Sequence, residues 1–550
     1  MKVWIKQQVE EALESLAWQG LGADWVVEEP KQSSHGDYSS NVAMVLAKPL
    51  KKNPREIAQA LADALRLSAR FDKVEIAGPG FLNFFLKAQT YQEALVSLAS
   101  QEAFKANHVA EPQRILIEFV SANPTGPMHL GHGRNAVVGD TLARILEALG
   151  HQVVREFYIN DHGVQIETLG RSGIYYFKKI HGMSAGEAPG EDMYRGEYVE
   201  TLVKDLSHEI KNSLGDPLSV GKTLAKVLLE RVKEDLAKVD IYFDHYFSED
   251  SLYESSKIKQ SIEALKKSGK TYEEEGALWF KTTDFGDDKD RVLIKSDGSY
   301  TYFTPDIAYH QDKFKRGFDL YLNVMGADHG GYVTRMKAAV EALGFDPQKL
   351  EFLLMQLVSL KRGEVPVAMS KRSGDYVTLK EIVEEVGADA TRFFFLMRSH
   401  HTSLEFDLEL AKSQSSENPV YYAQYAHARL ASLLRKAAEA GIDLSKLAQK
   451  IDLSSLTLPE ELDLIKLMLQ FGDRLNLAAS FREPHRVIFY LLELAKLFQN
   501  YYTQGKTDPR YRLLDQEEEV LLQKLFLVRA LKEVLANLLK ICGVSAPEKM

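Results

Sequence analysis

The chain has 550 residues, a formal net charge of −10 and a single cysteine, Cys542. That length exceeds one hydrophobic core and calls for about three domains, while an ordinary globular composition with no apolar run long enough to span a bilayer excludes a fibrous, disordered or helical membrane protein. The negative charge argues against coating nucleic acid indiscriminately but leaves room for RNA bound through a local patch and by shape. One cysteine excludes an intramolecular disulfide and a Cys-rich zinc site, and Cys542 reads as a small buried residue near the C-terminus.

Residues 1–105 read as a small α+β domain. The pattern from Val3 to Leu16 is an amphipathic helix carrying acidic residues, unlike a leader peptide, so the cytosol is the expected compartment. A second helix is expected over Pro54 to Leu65, with strands at Trp25–Glu28, Val74–Ala77 and Phe81–Leu86. The segment His35-Gly36-Asp37-Tyr38-Ser39-Ser40-Asn41 is turn-rich and feeds a helix, and Gly78-Pro79-Gly80 is a tight turn.

From Arg114 the pattern changes. Ile115 to Val120 is a short β-branched run, read as a buried strand. A loop follows, Ser121 to Leu130, broken by Pro124, Gly126 and Pro127. Val138, Leu142, Ile145 and Leu149 then recur at helical spacing up to Gly150. Strand, loop and helix make the first crossover of a parallel sheet. His129-Leu130-Gly131-His132 stands where the helix begins. A helix N-terminus offers unpaired N–H groups and partial positive charge to an anion such as phosphate. The two imidazoles add donors without a large permanent charge, and Gly131 lets the backbone approach a ligand. Four letters alone favour two surface histidines at a helix start; the strand-loop-helix setting reverses this in favour of the phosphate site.

A second strand runs from Gln152 to Tyr158 and ends in Asn160-Asp161, which either face a ligand or form a turn. Leu169 to Lys270 is helical and highly charged, read as an insertion with solvated faces. The sheet is expected to resume at Leu278–Lys281. Arg291–Lys295 and Tyr300–Phe303 flank a hairpin turn at Ser296–Ser299. A helix over Asp306–Lys315 and a strand over Leu320–Met325 lead into Gly326-Ala327-Asp328-His329-Gly330-Gly331, where close approach of the backbone to a ligand is expected. Met369-Ser370-Lys371 places a cation on what by itself reads as an exposed loop. From Asn418 the chain is helical to the end. It opens with Tyr421, Tyr422, Tyr425, His427 and Arg429 and closes with a helix from Leu521 to Ile541.

His129-Leu130-Gly131-His132 resembles the HIGH motif of class I aminoacyl-tRNA synthetases, and Met369-Ser370-Lys371 resembles their KMSKS loop, with Lys371 as its second lysine. The loop departs from the pattern at Ala368 and Arg372. Lys361 or Arg362 is the suggested replacement for the missing first lysine. GDYSSNVAM, AGPGFLNFFL and the C-terminal helices, down to the terminal methionine, are similar to arginyl-tRNA synthetases of bacterial type. The resemblance covers nearly the whole chain. It implies an α/β fold: a Rossmann-like parallel-sheet catalytic domain over 106–415 with a helical insertion near 169–270. It also implies a tRNA-corner-binding domain over 1–105 and an all-α anticodon-binding bundle over 416–550.

The same resemblance implies an enzyme that activates L-arginine with ATP and charges the terminal adenosine of tRNA(Arg), with activation dependent on bound tRNA. His129, His132 and Lys371 would be catalytic. Gly131, Met369, Ser370, Gly326 and His329 would hold ATP. Glu118, Ser121, Asn123, Tyr302, Asp306 and Asp328 would hold arginine, whose planar, always-charged fork is best met by carboxylates. Phe81, Asn83, Tyr425 and His427 would touch tRNA by stacking or edge reading. Mg²⁺ accompanies ATP, no zinc is expected, no membrane is involved, and the chain is expected to be a monomer. Plainer readings stand beside these: Glu118 paired to a core arginine, Asp306 an N-cap, Tyr302 and Phe81 packing, Asn83 capping a turn, and Tyr425 and His427 between helices. Two rival functions also stand. One is a nucleotidyltransferase acting without RNA; the other is a tRNA-binding relative without chemistry.

Overall fold

The computed structural model describes residues 1–21, 24–66, 68, 70–99, 111–184, 193–367, 377–448 and 451–550. Near the N-terminus, Val27–Glu28 (β1), Tyr38–Ser40 (β2), Phe71–Ala77 (β3) and Phe81–Leu86 (β4) form an antiparallel sheet in the order β1-β2-β4-β3. The β3–β4 hairpin closes through Gly78 and Gly80, both at positive φ (53° and 140°), as the Gly-Pro-Gly turn demands. The helix Pro54–Leu65 starts as its sequence says, with Pro54 in the first turn and the Asn53 side chain accepting from the Arg55 amide. It buries Ile57, Ala58, Leu61 and Leu65 at helical spacing.

The second sheet carries the site. Arg114–Glu118 (β5), Gln152–Ile159 (β6) and His245–Ser248 (β7) run parallel and spread to one side. Thr271–Glu274 (β8), Ala277–Phe280 (β9) and Arg291–Ile294 (β10) form a separate antiparallel sheet. Leu320–Gly326 (β11) and Leu350–Met355 (β12) then return to the other side of β5, giving β12-β11-β5-β6-β7. The direction of winding reverses between β5 and β11, and ligands of such sheets bind beyond the carboxyl ends of the strands at that point.

Three expectations are corrected here. The parallel sheet does not resume at Leu278, because β8–β10 pair only with one another. The stretch read as wholly helical contains β7, whose four residues are too few to show a strand period. Tyr300–Phe303 is not a strand. Only Ile294↔Tyr300 bridges, and a helix already begins at Phe303 and runs to Lys315.

The helices Val164–Ile180, Glu197–Asp205 and Pro217–Ala237 of the insertion share their own apolar core, including Ile166, Leu169, Phe177, Leu202 and Leu224. Two of them cross backbone to backbone. A Cβ on Gly170 would lie 1.7 Å from the Pro217 carbonyl oxygen, and one on Gly221 would lie 1.9 Å from that of Ile166. Beyond β12, Val358–Arg362 (β13), Val365–Val367 (β14) and Leu404–Asp407 (β15) make a small sheet. The C-terminal part is a bundle of the helices Pro419–Glu439, Pro459–Met468, Phe471–Ser480, His485–Gln504 and Glu518–Ile541. The N-terminal domain docks on it through Asp37–Lys466 (2.8 Å) and through Gln92, which donates to the Leu456 carbonyl (3.0 Å). No helix among the described residues is long and apolar enough to cross a membrane.

Candidate active site

The first strand ends at Glu118, not at Val120, because the chain leaves it through two left-handed residues, Val120 (φ 68°) and Ser121 (φ 40°). Such a backbone costs on the order of 1–3 kcal/mol per residue and persists only when its surroundings enforce it. Here Asn135, buried on the first crossover helix Leu130–Ala148, accepts from the Val120 amide (2.7 Å) and donates to the Val324 carbonyl of β11 (3.0 Å). One amide side chain thus joins helix, strand exit and neighbouring strand at the winding reversal.

The exit loop delivers His129 as the N-cap of that helix. Its Nδ1 accepts from the amides of Gly131 (3.1 Å) and His132 (3.3 Å), and the His132 Nδ1 accepts from the His129 amide (3.4 Å). The rings stack at 3.7 Å between centroids. Because both Nδ1 atoms accept, each neutral imidazole carries its proton on Nε2 and is a one-sided donor. Gly131 makes this possible, since a Cβ there would lie 3.0 Å from the His129 ring. Behind the pair, Gly133 is in tight contact with Leu379 and Phe395. Leu379 also donates its amide to the Met128 carbonyl (2.8 Å).

Glu118 is buried and already occupied. Its carboxylate accepts from Ser121 Oγ (2.9 Å) and from Lys313, which is fully buried. Lys313 also donates to Asn323 Oδ1 (2.9 Å), and Asn323 Nδ2 lies 3.0 Å from His310 Nε2. His310 Nδ1 bonds the Asp306 carbonyl oxygen (2.9 Å). That carbonyl can only accept, so Nδ1 carries the proton and Nε2 accepts from Asn323. Burial and the neighbouring Lys313 push His310 down to about 3, which keeps it neutral. Asp306, Tyr309, His310 and Lys313 fall at helical spacing on one helix, and together they lay a polar face over the carboxyl half of the sheet.

Two carboxyls at this edge stand apart. Burial pushes Asp306 up to about 7, opposed by the Tyr332 hydroxyl and raised further by Glu118. Burial also pushes Glu249, just past β7, up to about 8, with Asp306, Asp161 and Asp250 adding to the rise. Glu249 is 8 % exposed, and the Tyr158 hydroxyl near it is buried with no close hydrogen-bond partner among the described residues. Two buried carboxyls raised above their ordinary range, with the Tyr158 hydroxyl beside Glu249, make this edge of the sheet favourable to a cation.

The remaining expected residues fall as follows. Asn123 is exposed and accepts from Asn160 Nδ2 (2.6 Å) beside the histidine loop. Tyr302 is 75 % exposed and caps the helix that carries Asp306. Gly326 ends β11, and Asp328 and His329 form the exposed turn after it. Met369, Ser370 and Lys371, with Ala368 and Arg372, lie outside the described residues. Lys361 and Arg362 are on β13 and already paired, Lys361 with Glu405 (2.8 Å) and Arg362 with Glu385 (2.6 Å) and Glu409 (2.8 Å).

In the bundle, the Tyr421 and Tyr425 rings stack at 6.0 Å, and the Arg429 guanidinium lies 4.5 Å from both Tyr425 and Tyr502. Tyr421, Tyr422, Tyr425 and Gln499 line a hollow of about 340 Å³. Phe81 is half-buried at the start of β4. His427 is 2 % exposed and its Nδ1 bonds the Pro547 carbonyl (2.9 Å), so it seats the C-terminal tail; Asn83 is 4 % exposed inside β4.

A parallel sheet wound this way, with paired imidazoles at the head of its first crossover helix and a helical bundle behind it, has the architecture of a class I aminoacyl-tRNA synthetase. The comparisons specify which one. The family described as tRNA synthetases class I (R), catalytic domain, matches residues 94–431. The arginyl tRNA synthetase N terminal domain matches 4–86, and the DALR anticodon binding domain matches 423–550. An arginine–tRNA ligase of Syntrophotalea carbinolica is 45% identical over 567 residues, spanning 100% of both chains. One of Staphylococcus carnosus is 47% identical over 534 residues, spanning 95% of this chain and 94% of its own. The solved arginyl-tRNA synthetase of Thermus thermophilus superposes with a TM-score of 0.78 at 25% identity, covering 100% of each chain. The chain belongs to the arginyl-tRNA synthetases.

Sequence reasoning missed Glu249, Lys313, His310 and Asn135. Only His310 and Lys313 left a signal, as polar residues in register with Asp306 along one helix.

Proposed function

We propose that the enzyme joins L-arginine to ATP as arginyl-adenylate, releasing pyrophosphate, and then passes the arginyl group to the terminal adenosine of tRNA(Arg), releasing AMP. An arginine carboxylate oxygen attacks the α-phosphorus in line as the bond to the bridging pyrophosphate oxygen breaks. The ribose hydroxyl, the 2′-OH by class habit, then attacks the activated carbonyl. Little covalent chemistry falls to the protein, so placement and charge dominate. The observation that carries the reading is the stacked pair His129–His132. Its two Nδ1 atoms are held by backbone amides, which fixes two Nε2–H donors at a helix N-terminus.

In this reading the guanidinium settles between Asp306 and Glu249, with the Tyr158 hydroxyl as a further acceptor. Tyr302 covers the stem at the rim, and Asn123 and Ser121 meet the amino-acid end. Glu118 acts mainly through its pair with Lys313, shaping the wall. Gly131, Gly326, His329 and Asp328 border the nucleotide and the bound arginine. Lys371, with Met369 and Ser370, meets the departing pyrophosphate. Mg²⁺ arrives on the ATP phosphates, which suits a hard cation that keeps oxygen and water ligands; among the described residues no three His, Cys, Asp or Glu converge as a metal cage. Residues 1–105 contact the outer corner of tRNA through Phe81. Residues 416–550 take the anticodon at the Tyr421–Tyr425–Arg429 hollow. The chain works in the cytoplasm as a monomer.

Pyrophosphate exchange with each amino acid, with and without tRNA, tests this. Exchange with arginine alone, and only with tRNA present, is expected. Exchange with lysine, or with no tRNA, would overturn the reading in favour of a broader nucleotidyltransferase.

A further inference from the structure

The buried charge that the chemistry leaves unused lies at the far side of the histidine helix. Arg392, on the helix Ala388–Phe395, is fully buried. Its Nε donates to the Cys542 carbonyl (2.8 Å), Nη1 to the Val239 carbonyl (2.7 Å) and Nη2 to Asp140 (2.6 Å). Those partners come from three places: the end of the bundle's last helix, the end of the insertion's longest helix, and the middle of the helix that begins at His129. Asp140 accepts a second guanidinium, Arg144 (2.7 Å), which in turn holds the Asp240 carbonyl (2.6 Å). The joint has no slack. Gly543 adopts φ +66°, and a Cβ there would lie 2.2 Å from the Arg392 Cζ. A buried guanidinium that loses a carbonyl or carboxylate partner is left uncompensated, so its partners move together or not at all.

The helix that carries Arg392 also touches the site. Phe395, nearly one turn on, would meet a Cβ on Gly133 at 3.2 Å, and Leu379 of the preceding helix would meet it at 2.8 Å. Gly133 immediately follows His132, and Thr378 bridges His129. We propose that Arg392 is a positioning residue that ties the seating of the C-terminal bundle to the alignment of His129 and His132. This rests on the reading of those histidines as the adenylation donors. The bundle that receives the anticodon would thereby bear directly on the phosphate site.

A double-mutant cycle on the full chain tests it, using Gly543→Ala, Arg392→Lys and the double variant, with Gly441→Ala as control. Gly441 also ends a bundle helix at positive φ (+87°), but a Cβ there meets nothing within 4 Å, so it reads backbone strain alone. Gly543→Ala is expected to lower kcat of arginine-dependent exchange about tenfold or more, with KM for arginine and Kd for tRNA within about twofold. Gly441→Ala should leave kcat within about twofold. Lysine lacks the flat fork that the new methyl would strike, so the double variant should be no slower than Arg392→Lys alone. Deuterium uptake of the segment 128–135 should rise in Gly543→Ala and not in Gly441→Ala, a readout independent of turnover. Independent, multiplying losses, a Gly543→Ala no worse than the control, or a defect confined to tRNA Kd would overturn the proposal. Absence of arginine-dependent exchange in the unmodified chain would instead sink the function proposed above.

Discussion

Asp306→Asn tests the arginine pocket most directly. The substitution keeps the shape and removes one charge. Truncating a charge that pairs with a bound ion costs about 2–5 kcal/mol. Asp306 is pushed up to about 7 and so is only partly charged near neutral pH, and the lower part of that range applies. At about 1.4 kcal/mol per factor of ten, KM for arginine should rise about 30- to 300-fold while KM for ATP stays within about threefold. The pH dependence sharpens this. Asp306 is pushed up to about 7 and Glu249 to about 8, so both are largely protonated at pH 6 and the guanidinium must displace those protons. Each proton that must leave costs about tenfold per pH unit below its pKa. KM for arginine should therefore climb as pH falls from 8 to 6, and the slope of log KM against pH should be shallower in Asp306→Asn. Steady-state pyrophosphate exchange at saturating ATP and tRNA measures both quantities. Identical slopes in the two proteins, or equal damage to arginine and ATP, would refute the assignment.

Lys313→Met leaves Glu118 buried without its cation and should cost about 3–5 kcal/mol of stability, read as a lower urea midpoint; a loss under about 1 kcal/mol would mean that Glu118 finds another partner. His132→Ala removes one Nε2–H donor and should cut the exchange rate about 100- to 1000-fold, with arginine affinity unchanged by equilibrium dialysis; a change in affinity alone would place the ring at the wrong substrate. Tyr425→Ala should weaken tRNA binding by about 1–3 kcal/mol in filter assays while saturating tRNA restores full exchange, and an unaltered Kd would move the anticodon elsewhere. Folding holds His310 neutral at about 3, whereas the unfolded chain takes up a proton below about 6.5. Stability should therefore decline as pH falls from 6.5 towards 3, and His310→Gln should flatten that decline in pH-dependent urea titrations; an unchanged decline would assign it to other groups.

The amino-acid order alone determined the pieces whose chemistry is local. The histidine loop, the Gly-Pro-Gly hairpin, the Asn53–Pro54 helix start and the helical C-terminal part all follow from neighbours a few positions apart, because caps, turns and amphipathic faces are settled at that range. β7 escaped because four residues between helices show no period, and β9 was assigned to the wrong sheet because pairing partners leave no local mark. Folding alone settled who compensates whom. Lys313 meets Glu118 across 195 positions, and Arg392 meets Asp140 across 252. Burial likewise separated Tyr425, at a hollow, from His427, turned onto the chain's own tail. A side chain's charge is written in its identity, but whether that charge is spent inside the protein or left for a ligand depends on distant residues that only the packed chain brings within about 3 Å.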